Sequence, residues 1–578
     1  MPPVSTWLAT ALMPLIGEGA AILWSGYILK TAFVIGAAAL ANSQRKKARR
    51  AMLDSIQDRT IMVRSAVADC PIVYGRARVS GPFRPVGTAG SLAERFSFTV
   101  SLAGAIDAIE EVWFGDESLG TLDANGWVTT GRYVKARQEY ATKVVPSLPG
   151  SGIITLDHTP DSVASVAVDT GTDNGYESVA FSVAGNQVTI SSAYAGKWVN
   201  VTYYHTVTWA LARAKGYLGQ AGQAADPYLL SEFPSTWTSS HRSDGASYIA
   251  CTLVYDQDVF TSGIPNVSAI VRGRRVYDPR LDSTNGGSGS HRYTDPTTWA
   301  WSRNPALIAR DYLKMELGCD DSEIDDTTVI AAANACDEPV EVNPAMTTGD
   351  YWEYFGVKYQ NRYTFDGALS SQADRLSNLE SILMAMVGSA VYSAGKWELQ
   401  AGVWEAPTTL ALDDDDLAGG QVVVQARQAR RDLINGVRGN YMHPDKWVVD
   451  DFPPYTSNTF VTEDGGAVSI RQIDLPMIRC PYRAQRVAKL MMFQSRQALT
   501  MTATWNLGAY EITPTKMVDL TIERYGWTGK DFKCMNRVYD PMGGVELSFK
   551  EEAAAIYEWD YNDAIDPDPA PNTTLPDP

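Results

Sequence analysis

The spacing of apolar residues changes character near residue 52, and the two parts of the chain predict different structures. From Ala20 to Ala41 the sequence is mainly apolar with a single charge, Lys30, and a basic cluster, Arg45 to Arg50, follows it. After Met52 the apolar residues come in short runs separated by Gly, Pro and Asn, which is typical of strands and turns. The run Phe96–Leu102 alternates strictly between apolar and polar positions and predicts one half-buried strand. We therefore expect a mainly β protein behind an apolar N-terminal helix.

A compact block between Pro146 and Tyr204 has β texture of its own. Three short runs, Ser165–Val168, Val188–Ile190 and Val199–Tyr203, are separated by Gly-containing turns. The longer strands of the flanking sequence resume at Tyr248. The block is therefore interpreted as a small β-sandwich inserted into a larger β domain.

Helical patterns occur only in the second half of the chain. One helix is predicted to start at Asn304–Pro305, a cap followed by proline, and to end at Gly318. A second helix ends at Gly388 and a third begins near Pro481, each with one apolar face. Strand patterns return from Thr500 to Phe549, so this half combines α+β parts with a further β domain.

A chain of 578 residues is too long for a single core. The patterns divide it into seven segments, of which the last is acidic and rich in proline and is expected to be extended. The segments are an apolar N-terminal helical segment (1–50), a first β domain (51–145), the inserted small β domain (146–207), the return of the first β domain (208–300), an α+β domain (301–410), a second β domain (411–550) and the C-terminal tail (551–578).

The chemistry of the chain favours a structural role. A formal net charge of −18 argues against binding to duplex DNA, which needs clustered Lys and Arg. No CxxC pair and no spaced histidine pair is present. The acidic run Asp413–Asp416 lacks the alternating spacing of a calcium loop, and the glycine-rich run Gly286–Ser290 lacks the Lys-Ser or Lys-Thr of a phosphate loop. His241 and His443 are interpreted as exposed loop residues. We expect no catalytic residue, no cofactor and no metal site, and therefore no enzyme.

Five blocks of sequence, in order along the chain, point to one family. They are Pro71–Pro82; Tyr217–Gly219 with Gln223–Pro227; Gly263–Asn266 with Val271–Gly273 and Val276–Arg280; Trp301–Ala306; and Ala484–Gln497 with Gly526–Phe532. Together they resemble the phage tail tip proteins related to the tip attachment protein J of lambda, which form the central tail hub of long-tailed phages. The resemblance extends from Pro71 to Phe549.

The resemblance implies a fold, an assembly and a set of partners. Each subunit of such a hub contributes two tube-like β domains, and a homotrimer therefore forms a ring of pseudo-sixfold symmetry that closes the tail tube. The implied partners are the distal tail protein, the tape measure protein and a central or side tail fibre protein, while genomic DNA passes through the lumen without specific binding. The chain is then expected in the virion, at the tail tip, assembled in the host cytoplasm and active in host attachment and genome ejection.

A different class of protein stays open as an alternative. The chain has 16 Trp and 28 Tyr, and exposed aromatic rings stack on sugars as well as on proteins. A tail-associated carbohydrate-binding or glycan-degrading protein would share this composition.

The N-terminal apolar segment carries the candidate contact residues. As a helix, Ala20–Ala41 would be roughly 33 Å long at about 1.5 Å per residue. An exposed apolar surface of that length would aggregate, so we expect it to be covered. One interpretation is a helical bundle inside the hub that touches the tape measure protein, and the other is entry into the host membrane during DNA delivery. The residues proposed to make either contact are Leu23, Trp24, Leu29, Phe33 and Ile35.

Replacing Leu23, Trp24 and Phe33 by Asp distinguishes these two interpretations. If the segment is a structural bundle, the buried carboxylates are expected to abolish tail completion, seen as tailless particles by electron microscopy. Variants that assemble and adsorb normally but fail to deliver DNA would instead establish the membrane interpretation.

Overall fold

The computed structural model describes Met62, Met346 and seven longer stretches of the chain: 69–171, 175–261, 263–344, 350–406, 411–427, 433–540 and 543–565. The described part is mainly β, with short helices between several separate sheets, and this confirms the fold class expected from the apolar spacing. The predicted N-terminal helix lies outside the described residues. Within them, no helix is both long enough and apolar enough to cross a bilayer.

The strands before and within the inserted block are numbered in chain order. They are β1 (Ile72–Tyr74), β2 (Arg76–Val79), β3 (Phe83–Ala89), β4 (Arg95–Gly104), β5 (Ala108–Phe114), β6 (Glu117–Ser118), β7 (Val134–Val145), β8 (Ile153–Thr155), β9 (Ser162–Asp169), β10 (Tyr176–Ser178), β11 (Phe181–Ala184), β12 (Gln187–Ile190) and β13 (Val199–Ala210).

The middle of the chain mixes short strands with helices. Its elements are β14 (Ala212–Tyr217), α1 (Pro227–Glu232), β15 (Ala246–Val254), β16 (Val267–Arg272), β17 (Arg275–Val276), β18 (Ala300–Trp301), α2 (Pro305–Met315), α3 (Asp326–Asp337), β19 (Pro339–Glu341), β20 (Trp352–Tyr354), β21 (Val357–Asn361), β22 (Gly367–Leu369), α4 (Arg375–Met384), β23 (Ser389–Ser393) and β24 (Lys396–Gln400).

The last third ends in long antiparallel strands. Its elements are β25 (Ala411–Asp413), β26 (Val423–Gln425), β27 (Gly436–Met442), β28 (Val449–Thr456), α5 (Asn458–Glu463), β29 (Ile470–Leu475), α6 (Pro481–Arg496), β30 (Thr500–Trp505), β31 (Met517–Ile522), β32 (Trp527–Asp540) and β33 (Gly544–Glu551).

The first β unit consists of two four-stranded sheets around one core. Their strand orders are β14-β15-β4-β3 and β2-β16-β5-β6, so strands on both sides of the inserted block pair with each other. Phe98 and Val100 of β4 contribute to the shared core together with Ile249 and Cys251 of β15.

Strand β4 is buried on both faces, so the prediction of a half-buried strand is wrong. The short helix α1 covers the other face of this sheet, where its Leu229 packs with Tyr248 and Ala250. The polar side chains that this face contributes are small and satisfied, since the hydroxyl groups of Ser97 and Thr252 lie 2.9 Å apart in a hydrogen bond. An alternating pattern cannot distinguish water from a covering helix when its polar positions are Ser and Thr.

The inserted block has two sheets and a core of its own. The sheets are β10-β9-β13-β7 and β11-β12-β8, with Val166, Val188 and Val201 among the residues between them. Strands β7 and β13, each of 12 residues, pair along their whole length. The two-sheet unit therefore starts at Val134, earlier than the predicted boundary at residue 146. At its base the backbone N–H of Leu211 donates to Tyr133 O at 2.7 Å, so the chain leaves and returns at adjacent positions.

The largest core combines segments that the sequence places in different domains. Helices α2, α3 and α4 pack there with α6 and the sheet β28-β27-β29. Residues 433–496 were expected to belong with the C-terminal strands, but Val487 and Ala488 of α6 are fully buried in the core of α2 to α4. The six-stranded sheet β25-β31-β32-β33-β30-β26 keeps a separate core around Trp505 and Phe549.

The helix starts are well predicted by their capping residues, whereas α2 and α4 end at Met315 and Met384, before the predicted ends at Gly318 and Gly388. The Asn304 side chain accepts the N–H groups of Ala306 and Leu307 at the start of α2, and Pro481 is the first residue of α6. The hairpin β23–β24 turns at Ala394–Gly395, where both residues have positive φ. Helices α1, α3 and α5 were not predicted, because they are short or carry weak apolar periodicity.

Removal of residues 135–209, with a short glycine linker in their place, is expected to leave the rest of the chain folded. The two ends already meet, and the block has its own core. Thermal unfolding followed by circular dichroism should show a cooperative transition within a few degrees of the full chain. A matched deletion of β15, which lies between β14 and β4, should leave no cooperative transition. An insoluble or non-cooperative 135–209 deletion would contradict the independence of the block.

Candidate functional site

The five contact residues predicted in the N-terminal segment, Leu23, Trp24, Leu29, Phe33 and Ile35, lie outside the described residues. Among the residues that the structure describes, no three His, Cys, Asp or Glu side chains are grouped so as to hold a metal ion. The cysteines of that part form no disulfide, and burial raises the pKa of Cys251, Cys336 and Cys534.

The motifs that suggest chemistry are used to build turns. Nδ1 of His241 accepts the backbone N–H of Thr238 at 3.0 Å, and Nδ1 of His443 accepts those of Asp445 and Lys446 at 3.2 Å. Burial lowers the pKa of His443, which keeps this acceptor nitrogen unprotonated at neutral pH. Both rings therefore stabilise local backbone.

The acidic and glycine-rich runs also bind backbone. Residues Asp414–Asp416 form one turn of 3-10 helix, and Asp414 Oδ2 accepts the N–H of Glu523 at 2.7 Å. In the glycine-rich loop the N–H of Ser288 donates to Arg280 O at 2.9 Å. The loop is folded against its own neighbours rather than arranged around a ligand.

The most heavily charged interior site is a row of arginines at helix α6. Arg479 precedes the helix, and Arg483 and Arg486 follow at spacings of four and three residues, which places all three on one side. Each is 2% exposed or less. They donate to backbone carbonyls: Arg483 Nε to Asn361 O at 3.0 Å, Arg486 Nη1 to Arg362 O at 2.8 Å, and Arg479 Nη2 to the carbonyl of residue 444.

Two carboxylates face this row. Asp366 binds Arg303 through both oxygens, at 2.8 Å to Nε and 2.5 Å to Nη2, and Asp350 also binds Arg303. Asp350 lies 3.8 Å from Nη1 of Arg483. Burial disfavours the charged form of Arg303, but Asp366 and Asp350 outweigh it and raise the pKa of that guanidinium.

Arg479 and Arg486, which donate to backbone carbonyls, show the opposite effect, because their pKa values are lowered. Burial lowers the pKa of Arg479 to about 10, with nearby Arg303 adding to the shift, and that of Arg486 to about 9. The guanidinium carbon of Arg479 lies 3.8 Å from the centre of the Trp447 ring, a cation–π contact that partly replaces a counter-ion. A cavity of about 40 Å³ beside them is lined by Arg76, Asp366 and Met477 and has room for water but not for an organic substrate.

The other side of α6 holds the end of the described chain. Lys489 Nζ donates to Glu558 O at 2.8 Å and to Asp563 Oδ2 at 2.7 Å, and the side chain of Gln485 exchanges two hydrogen bonds with the backbone of Ile565. Tyr557 packs against Leu490. The expectation of an extended, solvated tail from residue 551 is therefore wrong up to residue 565, and residues 566–578 lie outside the description.

Taken together, this site binds segments of its own chain. Its buried arginines donate to backbone carbonyls at the end of β21 and in the β27–β28 turn. Its carboxylates, Asp366 and Asp350, bind Arg303 just before α2. The sequence contained a signal for it, since Arg479, Arg483 and Arg486 recur at helical spacing within an otherwise apolar face. From the sequence alone this spacing predicts only an amphipathic helix.

Comparison with known proteins bears on the fold. No protein-family model matches the chain, and no curated protein matches it. A chain from the virion of a native gene transfer agent particle superposes with a TM-score of 0.50 at 12% sequence identity, over 91% of this chain and 98% of that one. This protein therefore shares its overall fold with that chain.

Two tail proteins match over shorter stretches of the chain. Prophage tail protein gp18 from Listeria monocytogenes EGD-e matches at 14% identity with a TM-score of 0.21, over 36% of this chain and 58% of that chain. The tail protein from Neisseria meningitidis MC58 matches at 15% identity with a TM-score of 0.23, over 32% and 56% of the two chains.

The Asp366→Asn variant tests whether the arginine site stabilises the fold. Loss of the carboxylate charge leaves Arg303 buried with a weaker partner, and the free energy of unfolding is expected to fall by about 3 kcal/mol. Glu110→Gln is the matched control, because the Arg76–Glu110 pair is partly exposed and should contribute under about 1 kcal/mol. Equal effects of the two substitutions in urea unfolding would contradict the central role of Asp366.

Proposed function

We propose that this chain is the structural hub of the distal tail tip of a long-tailed bacteriophage. In this role it closes the tail tube and links it to the distal tail protein, the tape measure protein and a tail fibre protein during host attachment and DNA delivery. The observation that carries the proposal is the fold shared with a gene transfer agent virion chain over nearly the full length of both proteins. The ordered sequence blocks from Pro71 to Phe549 support the same assignment.

The arrangement of sheets suits a tube-forming subunit. The first β unit and the six-stranded sheet are two separate β bodies, each with its own core, and the α+β part lies between them in the chain. Three subunits with two such bodies each would supply six positions around a ring. The outer strands of these sheets, such as β3 and β26, have an unpaired edge among the described residues and could continue into neighbouring subunits.

The charge of the chain suits a conduit for DNA. Three copies would carry a formal charge of 3 × −18 = −54. A negative lumen repels phosphate and avoids the counter-ion-releasing contacts that would hold DNA in place. DNA would then pass through the ring without binding to it.

The inserted block and the N-terminal segment are assigned roles from their positions in the chain. The inserted block leaves the first β unit through a paired stem, which suits a site on the outside of the ring, away from the tube contacts. The N-terminal apolar segment is assigned to contact with the tape measure protein or, after its release, with the host membrane. The tail tip of the virion is the location that follows from these assignments.

A threefold assembly is the expected outcome for this hub. Native mass spectrometry of the purified chain should give a trimer, and image reconstruction of particles should show three copies at the tail tip. A monomer or a hexamer at that position would contradict the proposal. Release of sugars from peptidoglycan or capsule by the purified chain would instead favour the glycan-degrading alternative.

A further inference from the structure

The hairpin formed by β20 and β21 has an aromatic surface. Tyr351, Trp352 and Tyr354 are all exposed, and Phe355 at the turn is 89% exposed. The rings of Tyr354 and Phe355 contact each other edge to face, with their centres 4.4 Å apart. Aromatic side chains concentrated at a protruding tip are a frequent feature of protein contact sites.

Phe355, the first residue of the hairpin turn, has a backbone conformation that is unfavourable for its side chain. Phe355 has φ +49° and Gly356 has φ +80°, so both central residues are left-handed, as in a type I′ turn. Asn, Asp and Gly adopt this conformation easily, whereas a bulky aromatic residue is strained by its Cβ. The presence of Phe at this position therefore does not serve the stability of the hairpin and indicates a use for its side chain.

The hairpin also presents a free backbone edge. β20 is the outer strand of the sheet β19-β21-β20, and no strand of the described residues pairs with its other side. Natural proteins protect such edges with Pro, Lys or a covering segment. β20 has neither Pro nor Lys; it is a short strand of three residues, Trp352, Glu353 and Tyr354, in which Glu353 carries the one charge.

A groove with complementary properties lies between α4 and β29. Its volume is about 640 Å³, and Leu383, Met384, Val387 and Met491 contribute apolar surface to it. Consecutive residues from Arg471 to Ile478 line the groove, so the strand presents its edge rather than one face. β29 is the outer strand of the sheet β28-β27-β29, and among the described strands its far edge is also unpaired.

The hairpin contacts the start of α6, whereas the groove extends from the residues before α6 to the second half of that helix. Gln360 of β21 is hydrogen-bonded to Cys480, next to the first residue of the helix, whereas Met491 lines the groove. Eleven helical residues separate these positions by about 16 Å along the axis at about 1.5 Å per residue. One copy of the chain therefore carries an aromatic edge and, on a different set of residues, an apolar groove with an open edge.

We propose that the β20–β21 hairpin of one copy inserts into the α4–β29 groove of a second copy, with β20 added to the free edge of β29. The contact joins two different surfaces of the same chain, so it is head-to-tail and can close into a ring. This inference rests on the proposed function, in which the chain forms a closed ring of three.

The Phe355→Asn variant separates folding from assembly. Asn fits the left-handed turn better than Phe, so the melting temperature should stay the same or rise. The association constant of the purified full chain, measured by sedimentation, should fall at least tenfold because the inserted aromatic ring is lost. Leu92→Asn is the matched control, since Leu92 is 88% exposed in another turn, and it should associate as the wild type does. A Phe355→Asn chain that associates normally would overturn the proposal.

The groove is tested by Met384→Lys and, independently of any folding defect in that variant, by Ser381→Arg on the same wall. Either folded variant should associate at least tenfold more weakly, and normal association of both would overturn the proposal. An equimolar mixture of Phe355→Asn and Met384→Lys chains retains one intact hairpin and one intact groove, so it should form dimers but no trimers. Absence of mixed dimers would also count against a head-to-tail contact. If the wild-type chain forms trimers that none of these variants weakens, the docking inference fails while the proposed function stands; if the wild type is a monomer in the tail, the proposed function itself fails.

Discussion

One buried carboxylate connects three distant parts of this chain. Asp366 binds the guanidinium of Arg303 at the start of α2, accepts the backbone N–H of Arg76 in β2 at 2.9 Å, and donates its own backbone N–H to Met477 O before α6. A charge so deeply buried is tolerable only when its partners are fixed, because desolvation of an unpaired ion is very unfavourable. The first β unit, the helical core and α6 must therefore be positioned together. The separate cores of the inserted block and of the six-stranded sheet are under no such constraint.

The sequence predicts well those features whose cause is local. Asn304 and Pro305 set the start of α2 through their own hydrogen bonding and φ angle, and the turn at Ala394–Gly395 sets the hairpin β23–β24. The burial of both faces of β4 could not be predicted in this way, since it depends on α1, which follows more than a hundred residues later. The same applies to residues 433–496, whose strand patterns suit either β body, and whose choice is decided by the packing of Val487 and Ala488.

The residues of the candidate site could be predicted from the sequence, but their burial and their partners could not. The spacing of Arg479, Arg483 and Arg486 is visible in the sequence, yet basic residues on a helix are usually solvated. Their burial depends on carbonyl groups of residues 361, 362 and 444, which no local pattern connects to α6. The acidic stretch after Glu551 was predicted to be extended for a related reason. Lys489 and Gln485, which bind it, are distant in the sequence. Similarly, the aromatic residues of the β20–β21 hairpin stand out in the sequence, but their exposure is known only from the fold.

The stem of the inserted block has a consequence for the evolution of such proteins. Strands β7 and β13 run side by side from Tyr133 and Leu211, and the sheets beyond them pack on a core of their own. Lys135, at the base of the stem, pairs with Asp256 and Asp258 of the first β unit. A recombination event that exchanged the sequence between these two points would need to preserve little more than two strand ends at hydrogen-bonding distance. The inserted block could then diverge rapidly between lineages while the contacts around Asp366 stayed the same. The stem is therefore a position at which the same body can acquire different modules by insertion.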